Sequence, residues 1–282
     1  MYEKYIEIKE LKTKQKLLLG LLRQFHNICE EHGLVYNIFG GTMLGAVRYR
    51  GLIPWDDDID VTMPRSDYEK FLNIIKKNYF NEFDLYAYPR KNYIYPYAKL
   101  GMKGTVLIEN IVRKKYNKLS LNIDIFPNDG YPDDENILDI YNEYERKIIL
   151  CSYKFKAFRN PIRWLLFECR KINASIKGVS YYLEKQIELI TQKTVEESDY
   201  IICQGAGWGK KGKLKKDIYF NRTLYDFNEL KVWGIKNYHE HLSNLYGDYM
   251  TPPPKEKQCC PHDSSLYVNE EIYKKLMKGQ KL

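Results

Sequence analysis

Four carboxylates crowd into five consecutive positions of the segment WDDDIDVTM: Asp56, Asp57, Asp58 and Asp60. If DIDVTM is a strand, its side chains alternate, so Asp58 and Asp60 share one face while apolar residues fill the other. Two like charges this close oppose folding unless a positive charge lies between them. Mg²⁺ suits this role because it binds one or two carboxylates together with the phosphate oxygens of a substrate. The other two acids are predicted to be solvated or to cap a turn after Pro54.

A third acid, Asp124, lies between apolar neighbours in the segment LNIDIFP. An acid in such a strand is costly unless it serves as a ligand or pairs with an arginine or lysine. If this strand lies beside the strand of Asp58 and Asp60, three carboxylates face one pocket. The sequence thus predicts a site for Mg²⁺, with Mn²⁺ as an alternative.

Two glycines supply the other half of the pattern. The segment VYNIFGGTMLGAV predicts a strand, a turn at Gly40 and Gly41, and then a helix. Glycine lets the backbone approach a phosphate closely, and the free N–H groups of a helix start attract its charge. Thr42 is expected to cap this helix or to contact the ligand. Each motif alone is more often an ordinary turn or a solvated loop, but the ordered combination indicates a phosphorylated ligand.

The elements that position these residues are helices and short strands. Helical spacing covers residues 10–31, and SDYEKFLNIIKK predicts a second helix with a capping box between Ser66 and Glu69. Residues 133–198 are mostly helical by pattern, and IYFNRTLYDFNELKVWGI predicts a hairpin. We therefore expect an α+β fold with a mixed sheet. Its predicted parts are a catalytic core at 1–132, a helical insertion at 133–200 and a C-terminal lobe completing the cleft at 201–282.

Composition limits the function classes. The 282-residue chain is 44% hydrophobic and has a formal net charge of +8, which favours a folded protein with an anionic partner, although a solubilising surface is the alternative. Its six cysteines have no regular spacing, and its first residues lack the basic start and apolar run of a signal peptide. We expect reduced thiols and a cytoplasmic location, at most peripheral at the inner face of the cell membrane.

The string GGTMLGAVRYRGLIPWDDDIDVTMPRSDYEKF, followed by YAKL, NIDIFPNDG and LYGDYMTPPPKEK, resembles the LicD family of the nucleotidyltransferase-fold superfamily. Members of that family, with their fukutin-related relatives, transfer phosphocholine or related phospho-alcohols from CDP-linked donors to glycans. The resemblance implies a nucleotidyltransferase-like sheet and metal-dependent transfer of phosphocholine from CDP-choline. The implied acceptor is a sugar hydroxyl of a teichoic acid, lipopolysaccharide or capsule precursor, which could be lipid-linked.

The resemblance also implies roles for individual residues. Asp58 and Asp60 would be metal ligands, and Asp124 would be a third ligand or the base for the acceptor hydroxyl. The donor phosphates would contact Gly40, Gly41, Thr42, Arg48 and Lys99, since a pyrophosphate needs more positive charge than one metal supplies. Weaker candidates for substrate contact are Trp55, Tyr249, Lys255 and His262. The cations and aromatics among these residues have an ordinary alternative as surface or packing residues.

Several alternatives stay open at this stage. The phospho-alcohol could be ribitol or glycerol phosphate, the chain could be a non-catalytic member of the fold that binds glycan or membrane, or a nucleotidyl group could pass to a small acceptor. No nucleic-acid role is expected, because KKGKLKK is the only compact basic block. The CCPH motif lacks the second ligand pair that a zinc site needs.

One further segment, residues 152–178, mixes Lys and Arg with Phe, Trp and Leu. This composition favours a helix that lies on an anionic membrane surface. A helix packed on the core with its cations outward is the alternative. No run of about 18 apolar residues predicts a membrane span.

Overall fold

The computed structural model describes residues 5–155 and 160–278. In these ranges the helices are α1 (Leu11–Glu31), α2 (Gly40–Tyr49), α3 (Arg65–Asn78), α4 (Asn136–Ser152), α5 (Pro161–Ile190), α6 (Lys216–Phe220), α7 (Tyr238–Tyr246) and α8 (Glu270–Met277). The strands are β1 (Tyr5–Ile8), β2 (Asn37–Ile38), β3 (Asp60–Pro64), β4 (Phe83–Tyr86), β5 (Ala98–Met102), β6 (Thr105–Glu109), β7 (Lys118–Leu119), β8 (Asn122–Gly130), β9 (Tyr200–Ile202), β10 (Lys213–Lys215), β11 (Arg222–Phe227), β12 (Leu230–Ile235) and β13 (Ser264–Asn269). This mixture confirms the predicted α+β fold.

The main sheet is built around β8. Its order is β10-β9-β8-β3-β2, and β8 also pairs with β5, which in turn pairs with β4. Strand β8 runs parallel to β3 and antiparallel to β5 and β9. Two parallel neighbours need a long connection between them, and the chain uses it to form α3 and the strands β4 to β7.

Helix α1 supplies much of the core that supports this sheet. Its apolar residues recur every three or four positions and therefore lie on one face. Five of them are 0% exposed: Leu17, Leu18, Leu21, Leu22 and Phe25. Burying one such side chain stabilises the fold by about 1.5–3 kcal/mol. The helix stops just before Gly33, whose φ of +62° favours glycine, so the predicted helix agrees with the observed one.

Helix α3 begins directly where β3 ends. No side chain caps its first turn, and Ser66 lies inside the helix, so the predicted capping box is wrong. The physical reason is the anchoring of Arg65, the first helical residue, to the β8 carboxylate of Asp129. Their two hydrogen bonds measure 2.8 Å (Nε to Oδ1) and 2.6 Å (the second guanidinium nitrogen to Oδ2), and the helix begins two residues earlier than a Ser66 N-cap would allow.

The C-terminal part of the chain contributes strands to both larger sheets. The predicted hairpin is observed as β11 and β12, which pair with each other. Strand β13 lies between β1 and β6 in a second sheet of order β1-β13-β6-β7, and β9 and β10 extend the main sheet. Residues of the first and last thirds therefore share hydrogen-bonded sheets, and the domain boundaries at 132 and 200 stay a prediction.

Helices α4 and α5 form the predicted helical region. Helix α5 is interrupted at Gly178, whose φ of +78° and ψ of 168° are not helical. All but one of its buried residues follow the break: Ala174 precedes it, and Val179, Tyr182, Leu183, Gln186 and Ile190 follow it. Among the described helices, none is long and apolar enough to cross a membrane.

Candidate active site

Three charged residues stand in one row across the main sheet. Asp60 of β3 is in register with Asp124 of β8, and Asp124 is in register with Lys99 of β5. Residues directly opposite on neighbouring strands point to the same face. The Lys99 ammonium donates to both carboxylate oxygens of Asp124, at 2.7 and 2.8 Å. The sheet therefore brings together Asp60, Asp124 and Lys99, and Asp124 already has a cationic partner.

Asp58 reaches the same place from a loop rather than from the strand. Strand β3 begins at Asp60, so the predicted strand DIDVTM starts two residues too early. The reason is that the ladder with β8 begins at Asp60, opposite Asp124, and the pairing with β2 covers only Val61 and Thr62. The Asp58 carboxylate lies 3.6 Å from His262 Nε2 and is close enough to Asp56 for a carboxyl–carboxyl hydrogen bond.

Negative charge around these residues is only partly compensated. Burial, followed by repulsion from Asp56 and Asp124, raises the pKa of Asp58 to about 8. Burial and the charges of Asp58 and Asp124 raise the pKa of Asp60 well above its usual range. The pKa of Asp56 is also raised, chiefly by burial. The two nearby cations, Lys99 and His262, supply too little positive charge for this group of acids.

The donor set fits a hard divalent cation. In the described ranges, no three His, Cys, Asp or Glu side chains converge in the geometry of a metal-ligand set. This is consistent with Lys99 holding both oxygens of Asp124. Mg²⁺ requires only one or two protein carboxylates, because waters and substrate phosphates complete its shell. Asp58 and Asp60 could therefore hold Mg²⁺ or Mn²⁺, and Asp124 could join them if Lys99 moved away.

Asp57 has the opposite environment, so the prediction of a solvated residue is wrong. It is 3% exposed, accepts a hydrogen bond from Lys14 and lies 2.7 Å from Nδ1 of His262. Although burial acts to raise it, the His262 hydrogen bond and the Lys14 charge lower the pKa of Asp57 to about 2. The same hydrogen bond raises the pKa of His262 to about 9.

The sequence carries a signal for this ion pair. Lys14 stands at helical spacing between Leu11 and Leu18, on the apolar stripe of α1, and is 9% exposed. A lysine on a buried stripe needs a carboxylate partner. Asp57 can be buried because Lys14 of α1 contacts its carboxylate.

The two glycines open α2 itself, so the predicted turn before the helix is wrong. Phe39 is the N-cap, and Gly40 has φ +53°, which favours glycine. A Cβ on Gly41 would lie 3.0 Å from Asp56 Oδ2, and one on Gly40 would lie 3.5 Å from Asp60 Oδ2. The absence of side chains therefore lets the helix start approach the acids, and the N–H groups of a first turn have no helical acceptors.

Thr42 is the third residue of α2 and does not cap it, because Phe39 is the N-cap. It is buried inside the first turn, and its Oγ1 accepts a hydrogen bond of 2.9 Å from the backbone N–H of Asp60. This bond fixes the helix start to the first residue of β3. The ligand contact of Thr42 stays a prediction.

Four other predicted residues lie apart from this row. Arg48 is eight residues beyond Gly40, about 12 Å along the helix, and donates to the carbonyl of Tyr249 at 3.3 Å. Trp55 packs edge-on against Tyr49, at a centroid distance of 6.0 Å. Tyr249 is 8% exposed and hydrogen-bonds His239, and Lys255 begins an exposed 3-10 turn. Their roles in substrate binding stay predictions.

A cavity of about 200 Å³ runs from the acids to an aromatic wall. Asp58, Asp124 and His262 line one end. Tyrosines and an acid line the other: Tyr95, Tyr97, Tyr153 and Glu109. The Tyr95 hydroxyl donates to Glu109 at 2.8 Å, and the Tyr95 and Tyr97 rings are 5.3 Å apart. The missed signal is the alternation of Tyr93, Tyr95, Tyr97 and Lys99, which places every second side chain on one side.

A cation already lies against this aromatic wall. The Lys99 ammonium is 4.6 Å from the centroid of Tyr95 and 5.4 Å from that of Tyr97. Aromatic faces attract cations at such distances. The carboxylates that line the cavity also outnumber its two lysines: Asp57, Asp58, Glu109, Asp124 and Asp263. The cavity is therefore suited to positively charged groups.

Comparisons with known proteins agree with this geometry. Residues 33–174 match the family model described as LicD/FKTN/FKRP, nucleotidyltransferase domain. Over 268 residues the chain is 31% identical to the lipopolysaccharide cholinephosphotransferase LicD of Haemophilus influenzae, which covers 92% of this chain and 98% of that protein. An uncharacterized protein of Rickettsia prowazekii is 30% identical over 130 residues, 45% of this chain and 46% of that protein. The chain belongs to the LicD family, as its ordered motifs predicted.

Proposed function

We propose that the protein transfers phosphocholine from CDP-choline to a sugar hydroxyl of a cell-surface glycan and releases CMP. The observation that carries the proposal is the group of uncompensated carboxylates beside the glycine-opened start of α2. The Haemophilus relative, named as a lipopolysaccharide cholinephosphotransferase and aligned over 92% of this chain, supports the phosphocholine group and a lipopolysaccharide acceptor. Teichoic acid and capsule precursors are the other acceptors that the site would suit.

Asp58 and Asp60 would hold the metal, with Asp124 as a third ligand. Bound there, Mg²⁺ or Mn²⁺ would neutralise negative charge on the donor pyrophosphate and on the departing CMP. The protein itself mainly positions the reactants, as is usual in phosphoryl transfer. The backbone N–H groups of Gly40, Gly41 and Thr42 would bind donor phosphate oxygens at the helix start.

His262 would act on the donor as a cation. Its pKa of about 9 keeps the imidazole protonated at neutral pH, and Asp57 fixes the ring through Nδ1. The Nε2–H group then points toward the acids, 3.6 Å from Asp58 Oδ2, where a donor phosphate would approach. Lys99 is the second cation at this end of the cavity. A protonated His262 is a phosphate ligand rather than a general base.

The acceptor hydroxyl needs a group that accepts its proton. Asp124 faces the cavity and is the candidate base if it is not a metal ligand. Its hydrogen bonds to Lys99 orient the carboxylate. These two roles exclude each other in a single step, because a carboxylate that takes the proton is a weak metal ligand.

The aromatic end of the cavity favours choline as the alcohol. A quaternary ammonium cannot donate hydrogen bonds and binds to aromatic faces, each good contact contributing about 0.5–2 kcal/mol. Tyr95, Tyr97 and Tyr153 offer such faces beside the carboxylate of Glu109. Ribitol or glycerol would instead need several hydrogen-bond partners. Lys99 occupies part of the Tyr95 and Tyr97 faces, so Tyr153 and Glu109 would be the main choline contacts.

The decisive experiment measures CMP release. The protein is incubated with Mg²⁺, a cell-envelope glycolipid extract and, separately, CDP-choline, CDP-ribitol or CDP-glycerol, and ³¹P NMR identifies the new phosphodiester. CMP from CDP-choline alone, with a phosphodiester on the glycan and no turnover by Asp60→Asn, would support the proposal. CMP from another donor alone would replace the alcohol. No CMP from any donor, with an acceptor preparation proven active, would favour a non-catalytic binding role.

A matched pair of variants at Tyr153 tests whether the aromatic end of the cavity binds choline. Tyr153→Leu and Glu109→Gln should raise KM for CDP-choline about 2–30-fold, the effect of losing one cation contact. Tyr153→Phe keeps the ring and should leave KM close to the wild-type value. Equal KM for Tyr153→Leu and Tyr153→Phe would mean that choline binds elsewhere.

The proposed location is cytoplasmic and peripheral to the inner face of the cell membrane. A lipid-linked glycan acceptor would present its sugar at that surface. The net charge of +8 is complementary to anionic lipid headgroups. Cell fractionation with high-salt extraction tests this placement.

A further inference from the structure

The two halves of helix α5 differ in what covers them. After the break at Gly178, the helix buries Val179, Tyr182, Leu183, Gln186 and Ile190. Before the break, in residues 161–177, one side chain is buried, that of Ala174. Large apolar side chains in this first half are instead exposed: Ile162 69%, Trp164 46%, Leu165 58%, Leu166 57%, Ile172 63% and Ile176 77%.

Most of these exposed residues lie on one face. A helix turns by about 100° per residue, since it has 3.6 residues per turn. The following residues then fall within a sector of about 120°, and we call them the apolar stripe: Ile162, Leu165, Leu166, Cys169, Ile172 and Ile176. Ala174 and Phe167 lie on the opposite side, toward the protein. The stripe is therefore the outward face of the helix rather than an edge of the core.

A row of cations follows one border of the stripe. Arg163, Arg170 and Lys177 are seven residues apart, so they align along the helix beside the stripe, and all three are exposed. The other border carries the acid Glu168, which accepts a hydrogen bond from Lys171. A helix that places cations next to an exposed apolar face is typical of a helix lying in a membrane interface.

We propose that residues 161–177 dock on the surface of an anionic lipid bilayer. The apolar stripe enters the boundary between headgroups and acyl chains, and the basic row contacts lipid phosphates. The occupant is a bilayer rather than a second protein because the basic row matches anionic headgroups along its whole length. The proposal concerns a surface on the helical region, and it holds or fails independently of the transfer reaction.

Vesicle sedimentation tests the proposal without any turnover. The full chain is mixed with sucrose-loaded vesicles of phosphatidylcholine alone or with about 30% phosphatidylglycerol, which gives the vesicles a negative surface potential. Binding should require the anionic lipid and weaken at high salt. Leu165→Gln with Ile172→Gln should lower partitioning at least about tenfold. The control Phe80→Gln with Phe220→Gln removes two other exposed apolar residues, 60% and 41% exposed, and should bind like wild type.

The basic row is tested separately. Replacement of Arg163, Arg170 and Lys177 by glutamine should reduce partitioning to anionic vesicles by about fivefold per cation removed. Circular dichroism and the melting temperature verify folding, which should be unchanged because all substituted residues are exposed. Equal binding by wild type and by Leu165→Gln with Ile172→Gln would overturn the proposal.

Insertion depth can be read at Cys169, which lies in the stripe and is exposed. Cys259→Ser with Cys260→Ser removes the other exposed thiols, and Cys29, Cys151 and Cys203 are buried. A nitrobenzoxadiazole label on Cys169 should shift its emission to the blue with anionic vesicles. An unchanged emission wavelength would overturn the proposal. So would a wild-type protein that dimerises through the stripe and binds no vesicles, if Leu165→Gln with Ile172→Gln abolished the dimer. Either result would leave CMP release with a water-soluble acceptor unaffected.

Discussion

Asp57 and Asp58 are consecutive in the chain and have opposite electrostatic surroundings. Asp57 is 3% exposed and bonded to Lys14 and His262, which lower its pKa to about 2. Burial and the charges of Asp56 and Asp124 outweigh the nearby His262 at Asp58, one residue further, and raise its pKa to about 8. The compensated acid fixes the loop, while the uncompensated acids give the same loop its affinity for cations.

The difference shows how the fold can maintain concentrated negative charge. Lys14 from α1 and His262 from the segment before β13 meet at Asp57 and tie three distant parts of the chain together. This anchoring opposes the repulsion between Asp58 and Asp60, which would otherwise spread the loop. A substitution at Asp57 should therefore change stability, and a substitution at Asp58 or Asp60 should change function.

The largest expected effect is on transfer by the uncompensated acids. Asp58→Asn and Asp60→Asn should each lower kcat/KM at least about 10²–10³-fold, as when one group that stabilises transition-state charge is lost. Their melting temperatures should be equal to or above that of the wild type, because the repulsion is relieved. CMP release and thermal unfolding measure the two quantities. Full activity in both variants would remove the metal-site argument.

The next effect is on stability at the compensated acid. Asp57→Asn leaves the 9% exposed Lys14 without its carboxylate, and it should lower the free energy of unfolding by about 3–5 kcal/mol. Urea denaturation of Asp57→Asn and Asp58→Asn, side by side, gives the comparison directly. Equal destabilisation by the two substitutions would contradict the view that Asp57 stabilises the fold and Asp58 serves function.

A smaller effect is expected from the metal alone. Mg²⁺ at 100 times its Kd should stabilise the wild type by about 2.7 kcal/mol, and EDTA should reverse the gain. Asp58→Asn with Asp60→Asn should respond much less, whereas Asp57→Asn should keep most of its response. A shift that persists in the double variant would indicate a metal site elsewhere.

The smallest expected effect is the pH dependence of the metal-free protein. Asp58 and His262 have raised pKa values, about 8 and about 9, so their contribution to stability is present at low pH and is lost as the pH rises through those values. Asp57, with its lowered pKa, loses its contribution as the pH falls from about 4 to about 2. The Asp58 and His262 side chains are 36% and 52% exposed, so solvent screening limits the effect.

Thermal unfolding from pH 4 to pH 9 measures this dependence. Stability should fall toward alkaline pH without metal, and Mg²⁺ should flatten the part that Asp58 causes. Stability that rises over this range in the metal-free protein would contradict the assignment of Asp58 as an uncompensated acid.

Local sequence patterns predicted much of this molecule. The periodicity of α1, the hairpin β11–β12 and the ordered family motifs were sufficient for the fold class and the family. The start of β3 differs from the prediction because strand pairing with β8, and not the sequence of β3, determines where it begins. The apolar stripe of α1 indicates that Lys14 needs a carboxylate, but its partner Asp57 is 43 positions away. His262 is 205 positions from Asp57, so local sequence identifies neither pairing.

In the candidate site, too, local motifs were predictable and long-range pairings were not. The acids and glycines were identified because each occupies a short motif, whereas the partnership of Lys99 with Asp124 depends on the register of β5 with β8. The tyrosine wall was not identified, although Tyr93, Tyr95 and Tyr97 alternate in the sequence. Which of 26 tyrosines line a cavity is a property of chain topology rather than of composition.

The central position of β13 has a consequence for how the protein is made. Strand β13 lies between β1 and β6, and His262 precedes it by two residues. During synthesis, the earliest strand must therefore wait for residues 264–269 to leave the ribosome before its sheet can close. Until then Asp57 lacks its hydrogen bond to His262, and the acidic loop lacks part of its anchoring. The site matures only after nearly the whole described chain has been translated.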